Sequence, residues 1–199
     1  QAAAGFAARG ADLLEVEPRL LDSLSGTESP QGILAVLERR DLPLPPAPDF
    51  LVVADGIRDP GNLGTILRAA AAFGVEAAYL SRGTVDPYSP KALRAAMGAT
   101  FQVPLVCDVD YEEVIALKSK GYGLIACTPR GDVELPRAEF PDRMVLMIGS
   151  EGKGLPHEIE EMADIRVKIP LQPAVESLNA AVACAVFLYE ISIRRGMRS

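Results

Sequence analysis

From Phe50 onward, apolar runs of strand length alternate with helical patterns, and nothing else in the chain limits its fold as much. Phe50-Leu51-Val52-Val53-Ala54, Leu124-Ile125-Ala126-Cys127 and Met144-Val145-Leu146-Met147-Ile148 carry no polar residue. Strands of that kind need cover on both faces, as a parallel sheet between helix layers provides. Shorter runs at 76–80, 103–106 and 165–169 read as further strands. Leu63, Ile66, Leu67 and Ala70 fall at i, i+3, i+4 and i+7, so 63–73 reads as a helix stopped by Gly74. Helices are also expected at 90–97, 111–120 and 179–193. The last is apolar almost all round as far as Tyr189, so it needs cover on several sides, part of it from a second subunit. The expected class is α/β, with a mostly parallel sheet and helices on both faces.

Ahead of this pattern the chain changes character. Residues 1–30 are Ala-rich and then polar, and Ile33-Leu34-Ala35-Val36-Leu37 reads as a short strand. Four prolines between Leu42 and Pro48 predict a stiff, extended linker. The expected organisation is a first segment at 1–41, a linker at 42–49 and a main domain at 50–199.

Three turns interrupt the main domain. They are Asp59-Pro60-Gly61-Asn62-Leu63-Gly64, Gly149-Ser150-Glu151-Gly152-Lys153-Gly154 and Glu176-Ser177-Leu178-Asn179. The first two follow strands directly, and the first and third run straight into helices. Such turns put backbone N–H groups at the carboxyl ends of strands, where α/β sheets bind ligands. Each alone also has a purely structural reading, since Gly reverses a chain and Asn caps a helix. No Gly-x-Gly-x-x-Gly follows the 50–54 strand, and Gly149 to Lys153 lacks the P-loop spacing. No Gly-x-Ser-x-Gly elbow is present, and the one histidine, His157, argues against a hydrolase triad and a zinc site. Cys107, Cys127 and Cys184 are widely spaced in apolar contexts and read as buried free thiols in a reducing compartment. The start lacks the pattern of a signal peptide, and no apolar stretch has the length of a membrane span. A net charge of −7 counts against a large phosphate-binding surface, though not against a local one. Arg68, Arg82, Lys91 and Arg94 lie in one stretch.

Taken together, the turns resemble the three signature motifs of the SpoU/TrmH family of SPOUT RNA ribose 2′-O-methyltransferases. Asp55 to Ala70 is similar to the first motif, Ile148 to Leu155 to the second, and Ile169-Pro170-Leu171 with Glu176 to Ala183 to the third. Two departures lie in the third motif: Gln172-Pro173-Ala174 stands where glycine is frequent, and Ala180-Ala181 where Val-Ser is frequent. The resemblance implies a deep trefoil knot near the C-terminus, which no sequence pattern would suggest. It implies S-adenosylmethionine held largely by backbone groups at Gly149, Ile169 and Leu178, with Thr128 a further candidate. It also implies a homodimer packed through the knot region, giving the 179–193 helix a partner. Ser29 to Val36 is similar to the junction after the N-terminal RNA-binding domain of two-domain relatives, which act mostly on ribosomal RNA. A cytoplasmic enzyme acting on structured RNA follows, ribosomal before transfer RNA. A non-catalytic RNA-binding paralogue is the reading from another class.

Methyl transfer from a sulfonium to a ribose hydroxyl needs positioning, dryness and a path for one proton, but no metal. The resemblance carries catalytic roles onto Asn62, Arg68, Glu151, Ser177 and Asn179. Arg68 lies four residues after Gly64, on the side away from the Leu63/Leu67/Ala70 stripe. The family assigns this arginine as a base. A guanidinium holds its proton far above neutral pH, so binding of the target phosphate and stabilisation of alkoxide charge suit it better. Glu151 is placed to orient Asn62 or Arg68, and Ser177 and Asn179 open the last helix. His157, after Pro156, reads as a surface residue.

Overall fold

The structure is a computed structural model and describes residues 2–26 and 29–196. The chain divides into two compact units, at 1–40 and 41–199. The first holds two short helices, α1 (Ala2–Ala7) and α2 (Pro18–Ser25), the latter ended by Gly26 in the left-handed conformation. The strand expected at 33–37 is absent: this stretch is irregular, and Val36 is 91% exposed. An apolar pentapeptide becomes a strand only against a hydrogen-bonding neighbour, and among the described residues 33–37 pairs with no strand.

The second unit is a seven-stranded, wholly parallel sheet. In chain order its elements are β1 (Phe50–Ala54), α3 (Pro60–Ala72), β2 (Ala77–Ser81), α4 (Pro90–Ala96), β3 (Leu105–Val109), α5 (Tyr111–Ala116), β4 (Gly123–Cys127), β5 (Val133–Glu134), β6 (Met144–Ile148), α6 (His157–Met162), β7 (Ile165–Lys168) and α7 (Ala180–Arg194). The strand order is β3-β2-β1-β6-β4-β7-β5. Alternate strand residues feed two cores. Phe50, Val52, Ala54, Met144, Leu146 and Ile148 pack with Leu63, Leu67, Cys184 and Leu188 of α3 and α7. Leu51, Val53, Val145 and Met147 pack on the opposite face with Val114 of α5 and Ile159 of α6. Helices therefore cover both faces, as the all-apolar strands require.

Several boundaries move for identifiable reasons. Helix α3 begins three residues earlier than its apolar stripe, because Asp59 caps it and Pro60 occupies its first turn. Strand β3 starts after Pro104 rather than at 103, and Asp108, at φ 57°, sits beside a register irregularity against β2. The helix expected over 111–120 is α-helical only to Ala116 and finishes as a 3-10 turn. Strand β5, two residues long, has too little sequence to announce itself. Gly64 has a packing role: a Cβ there would lie 2.4 Å from the Ala92 carbonyl and 2.6 Å from the Ala95 Cβ. It lets α3 and α4 touch backbone to backbone.

Candidate active site

The loops after β4, β6 and β7 surround one cavity of about 680 Å³ at the carboxyl ends of the strands. That is the usual ligand position in an open parallel sheet, and the volume suits a nucleoside-sized molecule. All four residues carried over for cofactor binding, Thr128, Gly149, Ile169 and Leu178, line it, as do Glu151 and Ser177. Thr128 is buried, and its hydroxyl accepts from the Arg130 N–H at 3.3 Å. Gly149 sits where no side chain fits, since a Cβ would lie 2.1 Å from the Gly154 carbonyl carbon and 2.2 Å from the Leu155 nitrogen. The second loop folds back on itself there: the Gly154 N–H donates to the Ser150 carbonyl at 2.8 Å, with Gly154 at φ 67°. Glycine thus lets the second loop close on its own main chain beside the cavity.

At one edge of this cavity the three loops meet through side chains. Asn179 caps α7: its Oδ1 accepts from the Ala181 N–H at 2.9 Å and the Val182 N–H at 3.2 Å. Both donors are fixed N–H groups, so the Asn179 Nδ2 is the end left to donate. It donates to the Asn62 Oδ1 at 3.0 Å, and the Asn62 Nδ2 in turn donates to a Glu151 carboxylate oxygen. Each link sets the next, and the chain can only end on an acceptor without protons, which the Glu151 carboxylate is. Asn62 itself is held at the first turn of α3, its N–H bonded to the Asp59 carboxylate at 3.0 Å. The Lys91 ammonium, 2.8 Å from that carboxylate, is the main cause that holds Asp59 below the usual carboxylate range. Residues 62, 151 and 179 are far apart in sequence and joined in space.

Arg68 is placed differently. It lies on the exposed stripe of α3 with Thr65 and Ala72, away from the buried Leu63, Leu67 and Ala70. It is not among the cavity-lining residues, and no hydrogen bond or ion pair holds it among the described residues. Ser177 lines the cavity and is exposed. His157 opens α6 on the surface, 3.3 Å from Glu161. Cys127 and Cys184 are buried, and burial pushes the Cys184 thiol up to about 12, whereas Cys107 is only half-buried. Among the described residues no cluster of His, Cys, Asp and Glu is arranged to hold a metal, and no helix is long and apolar enough to cross a membrane.

Two cavity residues escape a reading of the sequence. Arg130 follows β4 and Glu160 lies on α6, and they form an ion pair across the wall. No motif contains them. A glutamate two positions before a helix end looks like a solvated surface charge, and only its burial in the fold marks it out.

The chain has relatives among known proteins. The chain matches the sequence model of the SpoU rRNA Methylase family over residues 49–189. It is 37% identical over 178 residues to an uncharacterized tRNA/rRNA methyltransferase of Synechocystis sp. (strain ATCC 27184 / PCC 6803 / Kazusa), covering 88% of this chain and 65% of that one. It is 36% identical over 172 residues to the 23S rRNA (guanosine(2553)-2′-O)-methyltransferase RlmP of Bacillus subtilis, covering 85% and 68%. The chain thus spans about two thirds of the length of these curated relatives. The crystal structure of an AdoMet-bound rRNA methyltransferase from Sinorhizobium meliloti superposes with a TM-score of 0.85 at 33% identity, over 99% of this chain and 77% of that one. The chain belongs to the SpoU rRNA methylase family.

Proposed function

We propose that this member of the SpoU family transfers a methyl group from S-adenosylmethionine to a ribose 2′-hydroxyl in structured RNA, with ribosomal RNA as the substrate. The observation that carries the reading is the Asn179–Asn62–Glu151 chain, which ties all three motif loops together beside a glycine-walled cavity. The relative from Bacillus subtilis is named for this reaction on 23S rRNA, and the solved neighbour from Sinorhizobium meliloti is bound to AdoMet. The residues present fit that cofactor. The bare main chain at Gly149, with Ile169 and Leu178, offers N–H and C=O groups to a nucleoside, and buried Thr128 adds a hydroxyl. When bound, the cofactor supplies a methyl group already activated on a sulfonium.

The chain's own residues do the rest. Asn62 and Glu151 present a fixed amide and carboxylate edge at the cavity rim, available to orient the ribose hydroxyl and take up its proton. Ser177 adds a hydroxyl on the same wall. Arg68, exposed and unpaired, is free to take the phosphate beside the target ribose and to stabilise charge on the attacking oxygen. An arginine bound to phosphate enters the site with its RNA, which accounts for its place outside the cavity lining.

The assembly belongs to the same proposal. One face of α7 is buried, while Val182, Val186, Tyr189 and Ile193 form an exposed apolar stripe at i, i+4, i+7 and i+11. A second copy of the chain, packed there through the knotted C-terminal region, is the occupant we assign. Residues 1–41 are assigned to the end of an RNA-binding domain, and the cytoplasm to the place of action. The test is nucleotide-resolution mapping of ribose 2′-O-methylation in RNA from cells with and without the gene. One or a few ribosomal positions should lose their methyl group. Loss confined to transfer RNA would replace the substrate, and no loss in either RNA, with no cofactor binding by the protein, would favour the non-catalytic paralogue.

A further inference from the structure

The Arg130–Glu160 pair is unlike the other ion pairs in the described residues. Glu160 is 3% exposed, whereas the Arg130 side chain is 70% exposed. Both carboxylate oxygens accept from a single guanidinium nitrogen, Nη2, at 3.0 Å each. The Arg130 backbone is also fixed, its N–H bonded to the buried Thr128 hydroxyl. Both partners line the cavity, one from the loop after β4 and the other from α6. A guanidinium carries five N–H donors in a planar fork, so an anchor at one nitrogen leaves the other two free. The result is an arginine held at its backbone by a buried hydroxyl and at one guanidinium nitrogen by a buried charge, with donors to spare at the edge of a ligand cavity.

We propose that Arg130, anchored by Glu160, is the receptor for the carboxylate at the amino-acid end of S-adenosylmethionine. The assignment rests on the cofactor reading above and goes beyond it, since that reading assigns no residue to the amino-acid end. The cofactor is cationic at its sulfonium and ammonium and anionic only at this carboxylate. An uncompensated arginine would repel the sulfonium, while one paired with Glu160 is close to neutral from a distance and still directional at contact. Lys153 and Lys168 also line the cavity, but among the described residues no buried carboxylate fixes either of them, so neither is pre-organised in the same way.

The experiment is isothermal titration of the intact chain with two probes, S-adenosylhomocysteine and 5′-methylthioadenosine. The two share the nucleoside and thioether, and only the first carries the amino-acid end. Arg130→Ala should weaken S-adenosylhomocysteine about tenfold or more. It should change methylthioadenosine less than about twofold. Because Arg130→Ala leaves a buried carboxylate unpaired, the double variant Arg130→Ala/Glu160→Gln is measured beside it, with thermal unfolding as the control for structure. The double variant should show the same selective loss, and Arg130→Lys only partial recovery, since an ammonium cannot hold both carboxylates in one plane. Equal losses for both probes, or none for either, would overturn the assignment while leaving the function intact. Failure of the wild-type chain to bind S-adenosylhomocysteine would overturn the functional reading and this assignment together.

Discussion

The cavity and its rim are neighbours built by opposite means. The cavity wall at Gly149 is main chain, and what matters there is the side chain that is missing. The rim at Asn62, Glu151 and Asn179 is all side chain, each amide orienting the next. A wall of backbone recognises a nucleoside by fixed donors and acceptors and tolerates any substitution that leaves the loop path alone. A relay of side chains is far less tolerant, because each amide end is already committed to its own partners. Affinity for the cofactor and rate of methyl transfer should therefore be separable by mutation.

The widest separation is expected at Arg68. Arg68→Ala should lower methyl transfer to RNA by about a thousandfold, the scale of losing a charge-stabilising group. Cofactor affinity should change less than about twofold, because the residue does not line the cavity. Steady-state kinetics and a cofactor titration on the same preparation check both numbers. A parallel fall in cofactor affinity would show that the side chain belongs to the cavity after all. Gly149→Ala is the converse case. The new methyl group would meet backbone atoms at 2.1–2.4 Å, and the loop must shift to make room. Overpacking of about 1–3 kcal/mol would appear as a cofactor affinity lowered up to about a hundredfold. An unchanged dissociation constant would mean that the main chain at this loop does not bind the cofactor.

The same contrast decides what was legible in the sequence. The strands at 50–54 and 144–148 are found where continuous apolar runs predict them, since a buried parallel strand leaves that mark at every residue. Strand β5 leaves none, because two residues carry no period. The apolar run at 33–37 misleads, since a strand is a property of a pair and composition names only one member. Asn179 is visible as a cap and Asn62 as a residue at a helix start, and the resemblance brings them to one site. Their bond to each other spans 117 residues, beyond any local pattern. Glu160 is hidden for the opposite reason. Its helix, Glu158-Ile159-Glu160-Glu161, is rich in acids, and only the tertiary fold buries one of them.

Asn179 allows the rim to be cut without disturbing its support. Asn179→Ala removes both the cap and the link to Asn62, so it should cost about 1 kcal/mol of stability as well as turnover. Asn179→Asp keeps an oxygen for the Ala181 and Val182 N–H groups but has no Nδ2 to donate. It should unfold at the wild-type temperature while turning over about tenfold more slowly, the loss of one organised hydrogen bond. Cofactor affinity should stay within about twofold in both variants. If Asn179→Asp works at full rate, the relay is no more than a brace for the helix.

Tyr111 supplies a reporter on the face away from both regions. It opens α5, and its hydroxyl donates to the buried Asp55 carboxylate at 2.9 Å, just past the end of β1. Burial first, and then the bond to Asp55, push its pKa from 10.0 up to about 12. The raised value means that the folded chain holds the phenolic proton more tightly than the unfolded chain does. The stability this adds is complete below pH 10 and disappears as pH climbs toward about 12. Absorbance of phenolate against pH should show this tyrosine ionising last, and Asp55→Asn should bring it down by removing the acceptor charge. Saturating S-adenosylhomocysteine should leave the titration where it is, because neither side chain lines the cavity or joins the amide relay, and only the Asp55 main chain, its N–H bonded to the Ile148 carbonyl at 2.8 Å, reaches the cavity loop. A shift on ligand binding would mean that occupancy is felt through β1 to the opposite core, and the division into an independent wall and rim would then fail.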